Sequence, residues 1–162
     1  MSTDTDPHPP AGSETDESPI RPTGTLRWIP LIMLGGGLGT AARASLETLF
    51  PPAPAALPWT TLTINVIGSF VLGVLVETLS VAGPDRGIRR AARLTLGTGV
   101  LGGFTTYSTF MVESADRRRD GYVLVALAYL VGSVILGLAA AAVGISIASH
   151  AHRRRRGRTG AT

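Results

Sequence analysis

Four stretches of the chain are apolar and almost free of charge, and charged, polar or proline-rich segments separate them. The first opens at Trp28 and stays uncharged through Ala42, 15 residues; continuing to Phe50 gives 23 and takes in Arg43 and Glu47. The second, Trp59 to Val76, holds 18 uncharged residues, the third runs from Leu94 to Val112, and the fourth, Tyr122 to Ser149, holds 28. A helix crosses a hydrocarbon core of about 30 Å with about 20 apolar residues. The fourth stretch is about 42 Å long as an ideal helix, so it must tilt or protrude. The pattern predicts an all-α membrane protein whose four transmembrane helices occupy residues 28–149.

The third stretch is the least regular. Gly97 to Glu113 reads G-T-G-V-L-G-G-F-T-T-Y-S-T-F-M-V-E. Glycine costs about 1 kcal/mol against alanine in a helix interior, and threonine is disfavoured there as well. Irregular backbone survives at membrane depth only inside protein or against water or ions. This segment is therefore the first place to look for function. If its helix breaks, Gly102-Gly103-Phe104-Thr105 would expose carbonyls of the kind that suit a hard monovalent cation.

The other stretches carry narrower signals. Gly35 and Gly39 lie four apart, a small-residue face that admits a close neighbouring helix. Arg43 and Glu47 are also four apart and can pair, either as the interfacial end of the first helix or in a role facing the interior. In the second stretch Thr61, Asn65 and Ser69 share one face; in the fourth, Tyr129, Ser133 and Gly137 do the same. A buried amide such as Asn65 needs partners, which an interhelical contact or a polar pathway would supply. Tyr107 and Phe110, three apart, are either ordinary packing or part of a pathway wall with the hydroxyls of Thr105, Thr106, Ser108 and Thr109. Aromatic ring edges are electropositive and can face an anion.

Composition narrows the class. Hydrophobic residues make up 44% of 162, charged residues 16%, and there are 20 glycines; mean hydropathy is +0.27. That is a small integral membrane protein with one membrane domain. No cysteine is present, so thiol chemistry is excluded, and His8, His150 and His152 all lie in the tails. No stretch carries a central Asp, Glu, His or Lys, which argues against a proton-coupled pump, and no enzyme chemistry is indicated. Residues 1–27 are polar and rich in Pro, Ser, Thr, Asp and Glu and are expected to be disordered; residues 150–162 form an arginine-rich C-terminal tail.

All 15 basic residues are arginine. With four spans, Arg21, Arg27, Arg86, Arg89, Arg90, Arg93 and the five tail arginines fall on one side, eleven against Arg43, Arg117, Arg118 and Arg119 on the other. The positive-inside rule then places both termini in the cytoplasm of a multi-pass plasma-membrane protein. Arginines that flank apolar spans read as topology signals rather than as a nucleic-acid surface. These patterns reach a small membrane channel or transporter for a small polar or anionic solute.

Three blocks carry a resemblance. Gly35–Arg43 (GGGLGTAAR), Thr61–Gly73 (TLTINVIGSFVLG) and Gly97–Phe110 (GTGVLGGFTTYSTF) resemble the signature blocks of the CrcB/Fluc fluoride channels. The resemblance implies a third helix broken near its middle and an antiparallel dimer with two fluoride pores at its interface. Cytoplasmic fluoride would leave passively, relieving its toxicity. It implies a structural, untransported Na⁺ on the backbone carbonyls of Gly102 and Thr105. It implies a fluoride pathway of Asn65, Tyr107, Phe110, Tyr129 and Ser133, to which the hydroxyls of Thr61 and Ser108 are added as donors of the spans, with structural roles for Arg43 and Glu113. Tyr107 stands where the family usually has Phe, and Gly137 where a further Ser is common. The expected partners are fluoride, membrane lipid and a second subunit, and no nucleic acid. The arginine asymmetry favours a heterodimer with an oppositely oriented paralogue over a homodimer. The alternatives are a small four-helix exporter of cationic compounds, which needs an intramembrane carboxylate, or a non-conducting partner subunit of a channel.

Overall fold

The computed structural model describes residues 26–53 and 56–159, with side chains to Arg154. Nearly all of the expected disordered segment, residues 1–25, lies outside the described residues. Helix α1 spans Ile29–Leu49, with Pro30 in its first turn where a missing N–H costs nothing. Helix α2 spans Trp59–Val81. The third stretch is built in pieces: α3 (Gly87–Ala92), a π-helical segment (Arg93–Leu101), one short turn α4 (Gly102–Phe104), and α5 (Ser108–Arg119). Helix α6 runs over Val123–Thr159. No strand occurs among the described residues.

Three of these helices, Ile29–Leu49, Trp59–Val81 and the Val123–Arg154 part of α6, are long and apolar enough to cross a membrane. The third stretch is not one of them, because its helix stops at Phe104 and restarts at Ser108. Thr105 between them is extended, with ψ 155°. The π-helical winding before it, where the Gly102 amide reaches the Gly97 carbonyl, has no signal in the sequence. Such winding is rare and concentrates at functional sites.

Contacts fix the topology. Ser149 donates to Glu77 at 2.5 Å near one end, and Tyr129 and Thr61 meet through Glu113 near the other. Helices α2 and α6 therefore run parallel. The third stretch runs antiparallel to α2, since Asn65 meets Thr106 and Thr61 meets Glu113. Helix α1 crosses that stretch through glycine. A Cβ on Gly35 would stand 2.6 Å from the Thr95 carbonyl, and one on Gly39 would enter the Val100 carbonyl. The N-terminus of α1, the C-termini of α2 and α6, and the start of α3 thus share one end of the bundle.

Burial is inverted relative to a water-soluble bundle. The interior cluster is small, Leu62, Phe110 and Tyr129, while Leu38 is 69% exposed and Leu124 81%. Apolar surface on that scale is stable against lipid or another subunit, not against water.

Candidate functional site

The interruption of the third stretch is made by side chains. In a continuous helix the Thr106 amide would bond the Gly102 carbonyl. Here it donates to Asn65 Oδ1 at 2.9 Å, and Asn65 Nδ2 returns a bond to the Thr106 carbonyl at 3.0 Å. One side-chain amide thereby satisfies both backbone groups of Thr106. The Thr109 amide, which would bond the Thr105 carbonyl, instead donates to Thr106 Oγ1 at 3.2 Å, capping the start of α5. Among the described residues the carbonyls of Gly102 and Thr105 therefore receive no helical N–H.

A second set of bonds ties α1 to the same place. Arg43 Nε donates to the Gly103 carbonyl at 3.3 Å and its Nη1 to Thr109 Oγ1 at 3.4 Å, both long. The same Nη1 pairs with Glu47 at 3.1 Å. Arg43 thus faces the protein at the interruption, and Thr40 adds a weak bond to the Gly103 carbonyl at 3.4 Å.

Beside the interruption lies an open groove of about 270 Å³, lined by Asn65, Ser69, Thr105, Thr106, Tyr107, Phe110 and Ser133. Ser69, Ser133 and Gly137 also line an adjoining groove of about 460 Å³ running along α2 and α6. The two polar faces read from the sequence therefore meet each other. The Ser133 hydroxyl is buried with no hydrogen-bond partner among the described residues. Buried polar atoms are rarely left this way, and here the orphan hydroxyl lies beside a groove.

Phe110, largely buried, is part of this lining. Tyr129 meets it nearly edge-on, with ring centroids 5.0 Å apart and planes at 60°. Tyr107 lies on its other side at 6.2 Å and 47°. Tyr107 is 74% exposed on the single chain, so its ring faces outward from the bundle rather than into its core. Thr61 and Tyr129 do not line the groove. Both are buried and donate to Glu113, at 2.9 Å to Oε1 and 2.8 Å to Oε2. Ser108 is exposed and reaches Thr106 Oγ1 at 3.3 Å.

Two participants escaped sequence reasoning. The Thr106 backbone is where Asn65 acts, and a sequence lists side chains, not carbonyl directions. Arg117, counted among loop arginines, is buried; its Nε donates to the Ala56 carbonyl at 2.8 Å and its Nη1 to the Glu113 carbonyl at 2.9 Å. Its position in a run of three arginines resembles a topology signal and hides that role. No group of three or more His, Asp or Glu that could hold a metal occurs among the described residues. Among the described residues the Phe104 carbonyl, like those of Gly102 and Thr105, receives no helical N–H at the interruption.

Comparison with known proteins places the whole arrangement. The family described as CrcB-like protein, Camphor Resistance (CrcB), matches residues 30–145. The Fluoride-specific ion channel FluC 1 of Cutibacterium acnes is 50% identical over 109 residues, 67% of this chain and 76% of that protein. Fluoride-specific ion channel FluC 2 of Leifsonia xyli subsp. xyli is 46% identical over 122 residues, 72% and 80%. Fluoride-specific ion channel FluC 1 of Rhodococcus jostii is 46% identical over 125 residues, 77% and 87%. The match runs through all four apolar stretches and the interruption in the third, and the chain belongs to the CrcB-like family.

Proposed function

We propose that this chain is a subunit of a fluoride-specific ion channel, through which cytoplasmic fluoride leaves passively down its gradient. The observation that carries this is the groove at the interruption. In a chain whose relatives bear the name of fluoride channels, it gathers amide, hydroxyl and aromatic groups and, among the described residues, no carboxylate. Hydroxyls and amides replace the water around a small anion, and ring edges add a positive wall. Asn65, Tyr107, Phe110, Ser108 and Ser133 stand at or beside that path. Thr61 and Tyr129 hold the Glu113 carboxylate, and the Tyr129 ring packs against Phe110.

The carbonyls of Gly102 and Thr105 would hold a structural Na⁺. That reading is supported by the diversion of the Thr106 and Thr109 amides, which leaves both oxygens without a helical donor. A cation there would fix the interruption and supply positive charge near the anion path. The 74% exposure of Tyr107 and the open side of the groove fit a second, antiparallel subunit closing the pathway. The arginine excess at the end holding both termini favours a cytoplasmic location for that end and a paralogue of opposite bias as the partner.

The exporter reading requires a free intramembrane carboxylate. Glu47, Glu77 and Glu113 are each already engaged, by Arg43, by Ser149, and by Thr61 with Tyr129. A fluoride electrode decides the matter. Liposomes holding this chain, alone or with an oppositely biased paralogue, should release fluoride and retain chloride, and Phe110→Ile should abolish release. Equal fluoride and chloride release, or none in either preparation, would end the proposal. Full release from the chain alone would remove the heterodimer and leave the channel.

A further inference from the structure

The bundle end that holds both termini is basic well beyond what the transmembrane fold requires. Arg27, Arg86, Arg153 and Arg154 are exposed there, and Arg93 lies beside them, paired with Asp85 at 2.5 Å. The other acid near this end, Glu77, accepts from Ser149. The opposite end offers Arg118 and Arg119, with Asp116 and Asp120 on the same turn of chain, and Arg119 lies 3.8 Å from Asp116. The family match ends at residue 145, before the basic turn that begins at Arg153.

Depth decides what this basic turn meets. Helix α6 stays helical from its last uncharged residue, Ser149, to Thr159, about 15 Å at 1.5 Å per residue. Arg153 and Arg154 follow Ser149 by about 6–8 Å along the axis. The headgroup layer on each side of a bilayer is about 5–8 Å thick. When α6 tilts enough for its uncharged run, about 42 Å long, to fit within about 30 Å of hydrocarbon, these guanidiniums reach phosphate level. Guanidinium is matched to phosphate by its planar fork of donors.

We infer that this rim, centred on Arg153 and Arg154 with Arg27 and Arg86 at the same end of the bundle, binds the phosphates of anionic phospholipids in the leaflet at that end. An arginine near an anionic surface contributes a factor of about five to binding. The interaction weakens as salt shortens the screening length. The competing occupant is the chain's own N-terminal segment, which carries Asp4, Asp6, Glu14, Asp16 and Glu17 and leaves the bundle at the same end.

The test uses the full chain in phosphatidylcholine nanodiscs, with trace spin-labelled phosphatidylglycerol or phosphatidylcholine reporting lipid held at the protein. The expected result is a phosphatidylglycerol preference that falls as salt rises. R153Q/R154Q should lower it by about fivefold per arginine, and R118Q/R119Q at the opposite end should lower it much less. Equal retention of the two lipids by the full chain overturns the inference, as does an equal loss in the two double variants. A preference that emerges only after residues 2–20 are removed also overturns it, and assigns the rim to the acidic segment.

Discussion

Replacing Asn65 with alanine removes the two bonds that hold the third stretch open. The Thr106 amide loses its acceptor at 2.9 Å and the Thr106 carbonyl its donor at 3.0 Å. A net hydrogen bond contributes about 1 kcal/mol, and a buried group left unpaired costs about 1–3 kcal/mol. While the segment stays open both Thr106 groups lose a partner; closing the helix would return the amide to the Gly102 carbonyl and let the carbonyl accept from the Phe110 amide. The expected loss is about 2–4 kcal/mol, about 1 kcal/mol for each of the two lost bonds and the rest for a group left unpaired while the segment stays open. That corresponds to a factor of about 30 to 1000 in the folding equilibrium, measurable by denaturant unfolding in mild detergent. Asn65→Asp separates the two bonds. Its carboxylate still accepts from the Thr106 amide but faces the Thr106 carbonyl without a proton to give. It should therefore recover part of the stability lost in the alanine variant only when protonated. Fluoride efflux should collapse in both variants, because the same side chain lines the groove. An alanine variant within about 0.5 kcal/mol of the parent, the ordinary range for surface changes, and with unaltered efflux would refute the clamp.

Two further changes test the surrounding frame. Gly39→Ala drives a methyl into the Val100 carbonyl, whereas a methyl on Gly37 would meet nothing within 4 Å; the first should cost about 1–3 kcal/mol or more through overpacking, and Gly37→Ala should be neutral or gain up to about 1 kcal/mol, read by unfolding in detergent. Tyr129→Phe and Thr61→Val each remove one donor from Glu113 and should each cost about 1.5–3 kcal/mol, the range for bonds to a charged acceptor. Together they should cost more than the sum, because the carboxylate then loses both donors; simple additivity would mean that the two hydroxyls act independently of each other.

The outline of this protein is written in its hydrophobic pattern. Long uncharged runs dictate membrane helices because backbone groups in lipid can be satisfied only internally; α1, α2 and α6 start close to the first residues of those runs, while α2 continues past Val76 to Val81 and α6 past Ser149 to Thr159. Asn65, Ser69, Ser133 and Gly137 were also legible, since residues four apart share a face whatever the fold. The Gly97–Glu113 composition marked the irregular segment, because several poor helix formers in one apolar run need a reason.

Other features depend on neighbours and could be settled only in three dimensions. Nothing in the sequence sends the Thr106 amide to Asn65 in place of Gly102, 41 residues apart along the chain; that exchange requires α2 to lie antiparallel against the third stretch. Nor does it say that Thr61 and Tyr129 turn away from the groove to Glu113, or that Arg117 is buried while its neighbour Arg118 is exposed. Periodicity assigns a residue to a face of its own helix, and the packing of helices decides what that face meets. Sequence therefore determined the spans and their polar stripes, and tertiary structure decided which backbone carbonyls are released, because hydrogen-bond partners are chosen by proximity in space.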